Sequence, residues 1–333
     1  MSNSFGEKFK ITVFGESHGE CVGVIIEGCP PGQKIDKHLI QKELDKRKPG
    51  QNYLTSQRKE SDKLEVLSGV LKGRATGAPI TMLVRNKDID STFYEEIKNT
   101  PRPGHADFTA RIKYNFSNDY RGGGIFSGRM TAAFVMAGAI AKQILTKKKI
   151  KAIAQIIQIG NSVTAETIEQ QILNVKEEND SIGGLIECRV IGMPVGIGEP
   201  VFDSIESVLT HAIFSIPGVK GVEFGSGFKC INMKGSEHND PFVLKDGKVI
   251  TTTNNAGGIL GGLSNGMPII FRVAIKPTSS IFKEQNTVNL ERMKECNLKV
   301  KGRHDPCIAI RAVPVIENMT AIVLVDLLLR SSQ

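Results

Sequence analysis

Three short stretches carry residue types that move protons. Gly15-Glu16-Ser17-His18-Gly19 follows Lys10–Phe14, whose alternation reads as a strand. A hydroxyl beside an imidazole at a strand exit suits acid–base work, although a turn with an incidental histidine would be spelled the same way. It is not the Gly-x-Ser-x-Gly elbow of hydrolases, because His18 stands between Ser17 and the second glycine. Arg102-Pro103-Gly104-His105-Ala106-Asp107 is a stiff turn that fixes Arg102 relative to His105. An arginine and an aspartate so close can set the protonation state of that histidine. Gly302-Arg303-His304-Asp305-Pro306-Cys307 repeats the Arg-His-Asp grouping near the C-terminus.

A fourth stretch, Asp119 to Lys142, suits an anion. Gly122, Gly123 and Gly124 free the backbone to approach a ligand, and Ser127 can cap the small, apolar, helix-prone run Ala132–Ala141. A glycine loop feeding a helix N-terminus offers unpaired N–H groups, and Arg121 and Arg129 flank it with positive charge. A turn before a buried helix is the plainer reading.

The elements that must position these groups follow in order. Strands are expected at Cys21–Glu27, Lys63–Leu71, Ile80–Arg85, Ile150–Ile159, Ile182–Ile191, Val219–Phe224 and Ile269–Ile275. Helices are expected from Asp36 through Leu44, over Thr164–Val175, from an Asp203/Glu206 capping box, and from about Val315 to Arg330. The run Asp45-Lys46-Arg47-Lys48-Pro49-Gly50, with Arg58-Lys59 after it, reads as solvated surface or as a basic loop that closes on a polyanion. Ile281–Val300 reads as a polar active-site loop. Strand, Gly/Pro turn, Asp-started helix and strand occur twice, which suggests an internal pseudo-repeat.

Composition narrows the classes. The 333 residues are 40% hydrophobic, and 43 basic against 35 acidic residues give a net charge of +8. With no Trp, four Tyr and the basic residues dispersed, anionic metabolites lead over nucleic acid. The N-terminus carries no signal-peptide pattern, and Met130–Ala141, taken as the longest uncharged apolar segment, is too short to cross a bilayer. Six cysteines without a Cys-x-x-Cys pair read as reduced thiols. These features set the expectation of a cytoplasmic globular protein. No P-loop, no Gly-x-Gly-x-x-Gly unit and no metal-ligand spacing occurs.

Taken together the blocks resemble one family, chorismate synthase. The matching residues are Gly15–Gly19, Arg102–Asp107, Tyr120 through Lys142, Ala256–Gly262, Lys276–Ser280 and Gly302–Arg311, in the family's order along nearly the whole chain. The resemblance implies a single α+β domain over 1–333, a β-α-β sandwich with helices outside two antiparallel-type sheets, assembled as a homotetramer. It implies the last step of the shikimate pathway, anti 1,4-elimination of phosphate from 5-enolpyruvylshikimate 3-phosphate to give chorismate. Reduced FMN is required without net redox change, lending electron density as phosphate leaves and helping remove the ring hydrogen at N5. No nucleic acid or membrane partner is implied.

By the same resemblance, Arg47, Arg102, Arg129 and Arg303, with Ser127, bind the substrate. His18 protonates the leaving phosphate, His105 stabilises the reduced flavin near N1, and Asp305, assisted by Ser17, is the base for the N5 proton. FMN lies against Ile125, Phe126, Ser127, Pro217, Gly218, Gly261, Lys276, Pro277, Thr278, Ser279, Ser280 and Arg303. Two departures stand out: Ile125-Phe126 where many members have Arg-Ser, and Tyr53 where a second basic residue is expected. The latter weakens any NADPH site, leaving NADPH only as a source of electrons. A flavin reductase and a basic nucleic-acid-binding protein are the rivals from other classes; the first would consume NAD(P)H without releasing phosphate, the second would bind in a steeply salt-dependent way.

Overall fold

The computed structural model describes residues 3–50, 53–55, 60–87, 89–302 and 304–331. Two antiparallel sheets form its outer layers. The first contains β1 (Ser4–Phe5), β2 (Lys10–Gly15), β3 (Cys21–Glu27), β4 (Leu64–Val66) and β5 (Ile80–Arg85), in the order β1-β2-β3-β5-β4. The second contains β6 (Lys151–Ile159), β7 (Gly184–Ile191), β8 (Val219–Phe224) and β9 (Ile269–Ile275), in the order β8-β9-β7-β6. On β9 buried and half-buried side chains alternate, the signature of one face turned to a core.

The main helices are α1 (Lys37–Arg47), α2 (Thr131–Lys147), α3 (Ala165–Glu177), α4 (Ile205–Phe214) and α5 (Ala309–Arg330). The class is α+β, as the resemblance implies, but α2 and α5 lie between the sheets and not outside them. α2 packs on β2, β3 and β5, α5 packs on β6 and β7, and the two pack on each other. Their composition dictates this. Ala132 through Ala141 on α2 and Ile316 through Leu328 on α5 are buried almost all round, apart from Phe134 and Glu317, and such a helix needs cover on every side. α5 is thus long and apolar enough to span a bilayer, longer than the Met130–Ala141 segment singled out above, yet its most apolar window is 83% buried inside the protein.

The pseudo-repeat is present as topology. β2, β3, α1, β4, β5 and α2 are followed by β6, β7, α4, β8, β9 and α5. Both halves order their strands first-second-fourth-third, with α3 the extra helix of the second half. One hydrophobic cluster takes in residues of both.

Several local expectations are corrected. α5 begins at Ala309, six residues before Val315; Pro314 marks a break in the sequence, yet here it sits inside the helix, its carbonyl accepting from Asn318 Nδ2 at 2.7 Å. α4 is capped by Ser204, whose hydroxyl accepts from Ser207 N, and not by Asp203. Within Ile281–Val300 there is a paired hairpin, Glu284–Asn289 with Lys294–Lys299. Lys63–Leu71 holds only β4 and the first strand of a small hairpin, Val70–Leu71. All six cysteines are free, and burial pushes the Cys188 thiol up to about 12.

The central helices meet at Gly138, where a Cβ would lie 2.3 Å from Asn318 Cβ and 2.4 Å from its carbonyl oxygen. Beside this crossing Lys142 bonds Glu43 and Glu317, each at 2.7 Å, and Asn318 Nδ2 donates to Glu43 at 2.8 Å. Helix propensity alone would make Gly138→Ala stabilising by ~1 kcal/mol. The clash is with backbone that cannot step aside, so a net loss of about 1–3 kcal/mol is expected, read as a lower urea midpoint. Burial by itself would raise the Glu43 pKa, but Lys142 and the hydrogen bonds from Lys142, Lys46 and Asn318 hold it at about 2 instead of 4.5. Its contribution to stability is therefore complete above pH 4.5 and is lost as pH falls through about 2. Glu43→Gln should flatten the stability profile over that window in urea titrations.

Candidate active site

A cavity of about 910 Å³ opens where the N-termini of α2 and α5 and the C-terminus of α1 converge. Both helix N-termini present positive dipole ends to it, which favours anionic ligands. Its walls carry Arg47, Arg102, Arg129, Lys220, Lys276, Lys301 and Arg311 against Glu60, Asp90, Glu96 and Asp305.

Arg47 ends α1 inside the charge run, but it turns inward and is 1% exposed while Lys46 and Lys48 stay nearer the surface. Its Nη2 donates to Asp62 Oδ2 at 2.8 Å and its Nη1 to Thr131 Oγ1 at 3.3 Å. Burial lowers its pKa to about 10, and its buried Nε has no partner among the described residues. Arg129 donates to the other oxygen of Asp62, to Asn86 Oδ1 at 2.9 Å, and pairs with Glu60 at 3.2 Å. Ser127 accepts from Arg129 N at 3.2 Å, the cap expected ahead of α2. Asn86 also donates to the carbonyls of Glu16 and Gly19, at 2.9 and 2.8 Å, bracing the Ser-His turn against Arg129.

The Arg102–Asp107 turn is an ion-pair unit. Arg102 Nε and Nη2 donate to the two oxygens of Asp107 at 2.8 and 2.9 Å, and Nη1 donates to Ser280 Oγ at 3.1 Å. His105 Nδ1 lies 2.6 Å from Asp107 Oδ1. Burial opposes ionisation of Asp107, but the bonds from Arg102 and His105 hold its carboxyl far below the usual range. An ionised carboxylate only accepts, so Nδ1 carries the proton and Nε2 is the ring's acceptor, 3.3 Å from Arg102 Nη2. Arg102 Nη2 also lies 3.1 Å from Nδ1, which in this tautomer has no lone pair to receive it, so any donation to the ring goes to Nε2. Lys276 Nζ donates to the Gly104 carbonyl at 2.5 Å, tying this turn to the β9 exit.

The triple glycine is where backbone meets both histidines. A Cβ on Gly122 would stand 2.0 Å from His18 Nδ1, and one on Gly123 would stand 2.9 Å from His105 Cε1. Both have positive φ, 59° and 84°. Ser17 N donates to the Gly124 carbonyl at 3.2 Å, closing the loop on the Ser-His turn. His18 is buried, its Nδ1 lying 3.3 Å from Ser17 Oγ and its ring edge-on to Tyr94. Arg121, expected to flank the anion, instead bonds Asp119 at 2.9 Å and is not on the cavity wall.

Ser17, His18, Arg47, Arg102, His105, Ile125, Phe126, Ser127, Arg129, Pro217, Gly218, Lys276, Thr278, Ser279, Ser280 and Asp305 all line the cavity. Pro277 lies between two lining residues without lining it, and Gly261 sits apart in the hairpin Ile259–Leu260 with Leu263–Ser264. Arg303, like Arg58 and Lys59, lies outside the described residues. Sequence reasoning missed Asp62, Asn86, Tyr94 and Arg311, the last of which bonds Asp305 at 2.6 Å and the Arg47 carbonyl at 3.0 Å. Arg311 lay inside a matched block; nothing local marked the others.

Sandwich and cavity together define an anion-handling α+β enzyme. The family model described as chorismate synthase matches residues 9–329. A chorismate synthase of Korarchaeum cryptofilum is 49% identical over 98% of this chain and 97% of its own length. One of Thermococcus kodakarensis is 46% identical, covering 98% and 97%. A solved structure described as "Crystal Structure of Chorismate Synthase" superposes with a TM-score of 0.77 at 29% identity, covering 98% of this chain and 92% of that one. The chain belongs to the chorismate synthase family.

Gly122→Ala and Gly123→Ala should each lower turnover by about 10–100-fold, because displacing a reacting group by ~1 Å can cost 10²-fold. Gly247→Ala is the control: it also has positive φ, 72°, but its Cβ would meet nothing within 4 Å. It should lose only the ~1–2 kcal/mol of left-handed strain and keep its turnover.

Proposed function

We propose that this protein is a chorismate synthase that eliminates phosphate, anti and 1,4, from 5-enolpyruvylshikimate 3-phosphate. The observation that carries the reading is the convergence of three buried arginines, Arg47, Arg102 and Arg129, with Ser17-His18 and the His105–Asp107 pair on one cavity. A substrate with two carboxylates and a phosphate needs several fixed cations to offset its desolvation. Arg47 Nε, buried and without a partner among the described residues, is a donor that such an anion would meet. Reduced FMN fits the same cavity, whose volume lies at the upper end for small-molecule sites of ~300–1,000 Å³ and whose wall continues from Ile125–Ser127 to Pro217-Gly218 and Lys276–Ser280.

When bound, reduced FMN supplies electron density that eases the departure of phosphate and assists removal of the ring hydrogen. His18 donates a proton to the leaving phosphate, which departs more readily as the more protonated species. His105, with Nδ1 committed to Asp107, would stabilise the anionic form of the reduced flavin. Asp305, held by Arg311, would serve with the help of Ser17 as the base that takes up a proton from the bound flavin. Arg303 completes the substrate arginines, whereas Gly261, off this cavity, is given no part in holding FMN here. Tyr53 bonds Glu169 with its hydroxyl and offers no cation to a nicotinamide phosphate, which favours an external system as the source of reduced FMN. The chain works as one domain over 1–333, in a cytoplasmic homotetramer, without nucleic acid or membrane partners.

The test is anaerobic turnover of 5-enolpyruvylshikimate 3-phosphate with dithionite-reduced FMN. Phosphate and chorismate should appear in equal amounts, and neither with oxidised FMN; folded, flavin-bound protein that gives neither refutes the reading. His18→Ala and His105→Ala should each lower turnover by about 10²–10⁴-fold.

A further inference from the structure

Asp62 belongs to none of the site groups considered so far, yet it is the common partner of two of them. Its side chain is fully buried. Oδ2 takes Arg47 Nη2 at 2.8 Å and Oδ1 takes Arg129 Nη1, so each oxygen holds one guanidinium. The carboxylate is in turn fixed from behind. Asp62 has φ 39°, an uncommon conformation for a residue other than glycine, and its carbonyl accepts from Gln41 Nε2 at 3.1 Å. Gln41 Oε1 accepts from Leu64 N at 2.9 Å, which ties the Asp62 turn between α1 and β4.

Two buried guanidiniums on one wall repel each other, and a single carboxylate between them does two things. It compensates part of their charge, and it sets their separation and tilt. The second is the informative one. Arg47 is also held by Thr131 and Arg129 by Asn86 and Glu60, so each arginine has an independent anchor, but among the described residues only Asp62 bonds to both.

We propose that Asp62 is a positioning residue for the elimination, spacing Arg47 and Arg129 so that both engage one substrate anion. The proposal rests on the functional reading above. A carboxylate that merely neutralised charge would weaken anion binding, and its removal would tighten it; one that spaces the arginines strengthens binding, and its removal loosens it. The two accounts predict opposite signs.

The experiment compares wild type with Asp62→Asn, which keeps shape and removes charge, and Asp62→Glu, which keeps charge and shifts it by one methylene. Affinity for 5-enolpyruvylshikimate 3-phosphate is measured calorimetrically on the enzyme with oxidised FMN, where no turnover interferes, and KM and kcat are measured with reduced FMN. Both variants should bind the substrate about 10–100-fold more weakly, with kcat changed less than about threefold and FMN affinity unchanged. Substrate binding in Asp62→Asn equal to or tighter than wild type, or unchanged binding in Asp62→Glu, overturns the proposal. If neither variant folds, Gln41→Leu serves: it loosens the Asp62 backbone without touching a site charge, and an unchanged KM there overturns it equally. A wild-type enzyme that neither binds nor turns over the substrate overturns the functional reading, and this proposal with it.

Discussion

The crossing of α2 and α5 at Gly138 is the constraint from which the rest of the molecule follows. The two helices approach so closely that Asn318 occupies the space a side chain at 138 would need. Each helix is the last element of one half of the internal repeat, and each carries its own sheet, so their contact joins the two halves. It also fixes where the helices begin. Arg311 near the start of α5 reaches the carbonyl of Arg47, and Arg47 reaches Thr131 at the start of α2, so two positive helix ends and the end of α1 share one cavity. The polar knot of Glu43, Lys142, Glu317 and Asn318 beside the crossing contributes less to net stability than its short bonds suggest, because buried ions must first be desolvated. Its value lies in register: a slip between α1, α2 and α5 would strand those charges.

The same cost shapes the site. Several arginines in a buried wall are tolerable only with carboxylates beside them, since the desolvation of each ion runs to several kcal/mol. The protein meets this locally: Asp62 with Arg47 and Arg129, Asp107 with Arg102, Asp305 with Arg311. Desolvation still wins in part at Arg47, whose pKa falls to about 10. The histidines are held by geometry. His105 is fixed by a carboxylate on one side and a glycine on the other, and His18 by Ser17, Tyr94 and Gly122. A glycine loop that reads as an anion cradle thus has a second reason for its composition.

How much of this is legible in the sequence depends on the range of the interaction. Cys21–Glu27, Ile80–Arg85, Val219–Phe224 and Ile269–Ile275 have the boundaries read from the sequence, because short apolar runs punctuated by Gly, Pro and charged residues are written locally. The expected α5 start near Val315 falls six residues late, because the helix runs on through Pro314 and nothing local in the sequence says so. Layer order is invisible for a related reason: all-round apolar helices announce burial but not what covers them. Most of the candidate site residues named from motifs line one cavity, yet Asp62 could not be named. Its partners lie 15 and 67 residues away, and in sequence it is one more charge in a run that looks solvated. Arg47 hides in a similar run, and only its inward turn at the end of α1 separates it from Lys46 and Lys48.

The repeat explains why the cavity has two unlike walls. α1 ends in Arg47-Lys48-Pro49-Gly50, and its counterpart α4 ends at Phe214, followed by Ser215-Ile216-Pro217-Gly218. Both chain segments leave their helix through a Pro-Gly pair at the cavity, but one brings a buried guanidinium and the other neutral backbone and apolar surface. The connections that follow β5 and β9 both bring charge: the first supplies Arg102, His105 and Arg129, the second Lys276, Lys301 and Asp305 beside the hydroxyls of Thr278, Ser279 and Ser280. Under the proposed function this is a division of labour, with the first half binding most of the anionic substrate and the second receiving most of the flavin. Ile125–Ser127 belongs to the first half by sequence and, under the proposed function, to the flavin by role, and it stands at the entry to α2, where the halves meet. Departures from the family pattern at Ile125 and Phe126 therefore fall at the junction, where a neutral side chain can replace a charged one without unpairing any of the buried carboxylates that hold the arginines in place.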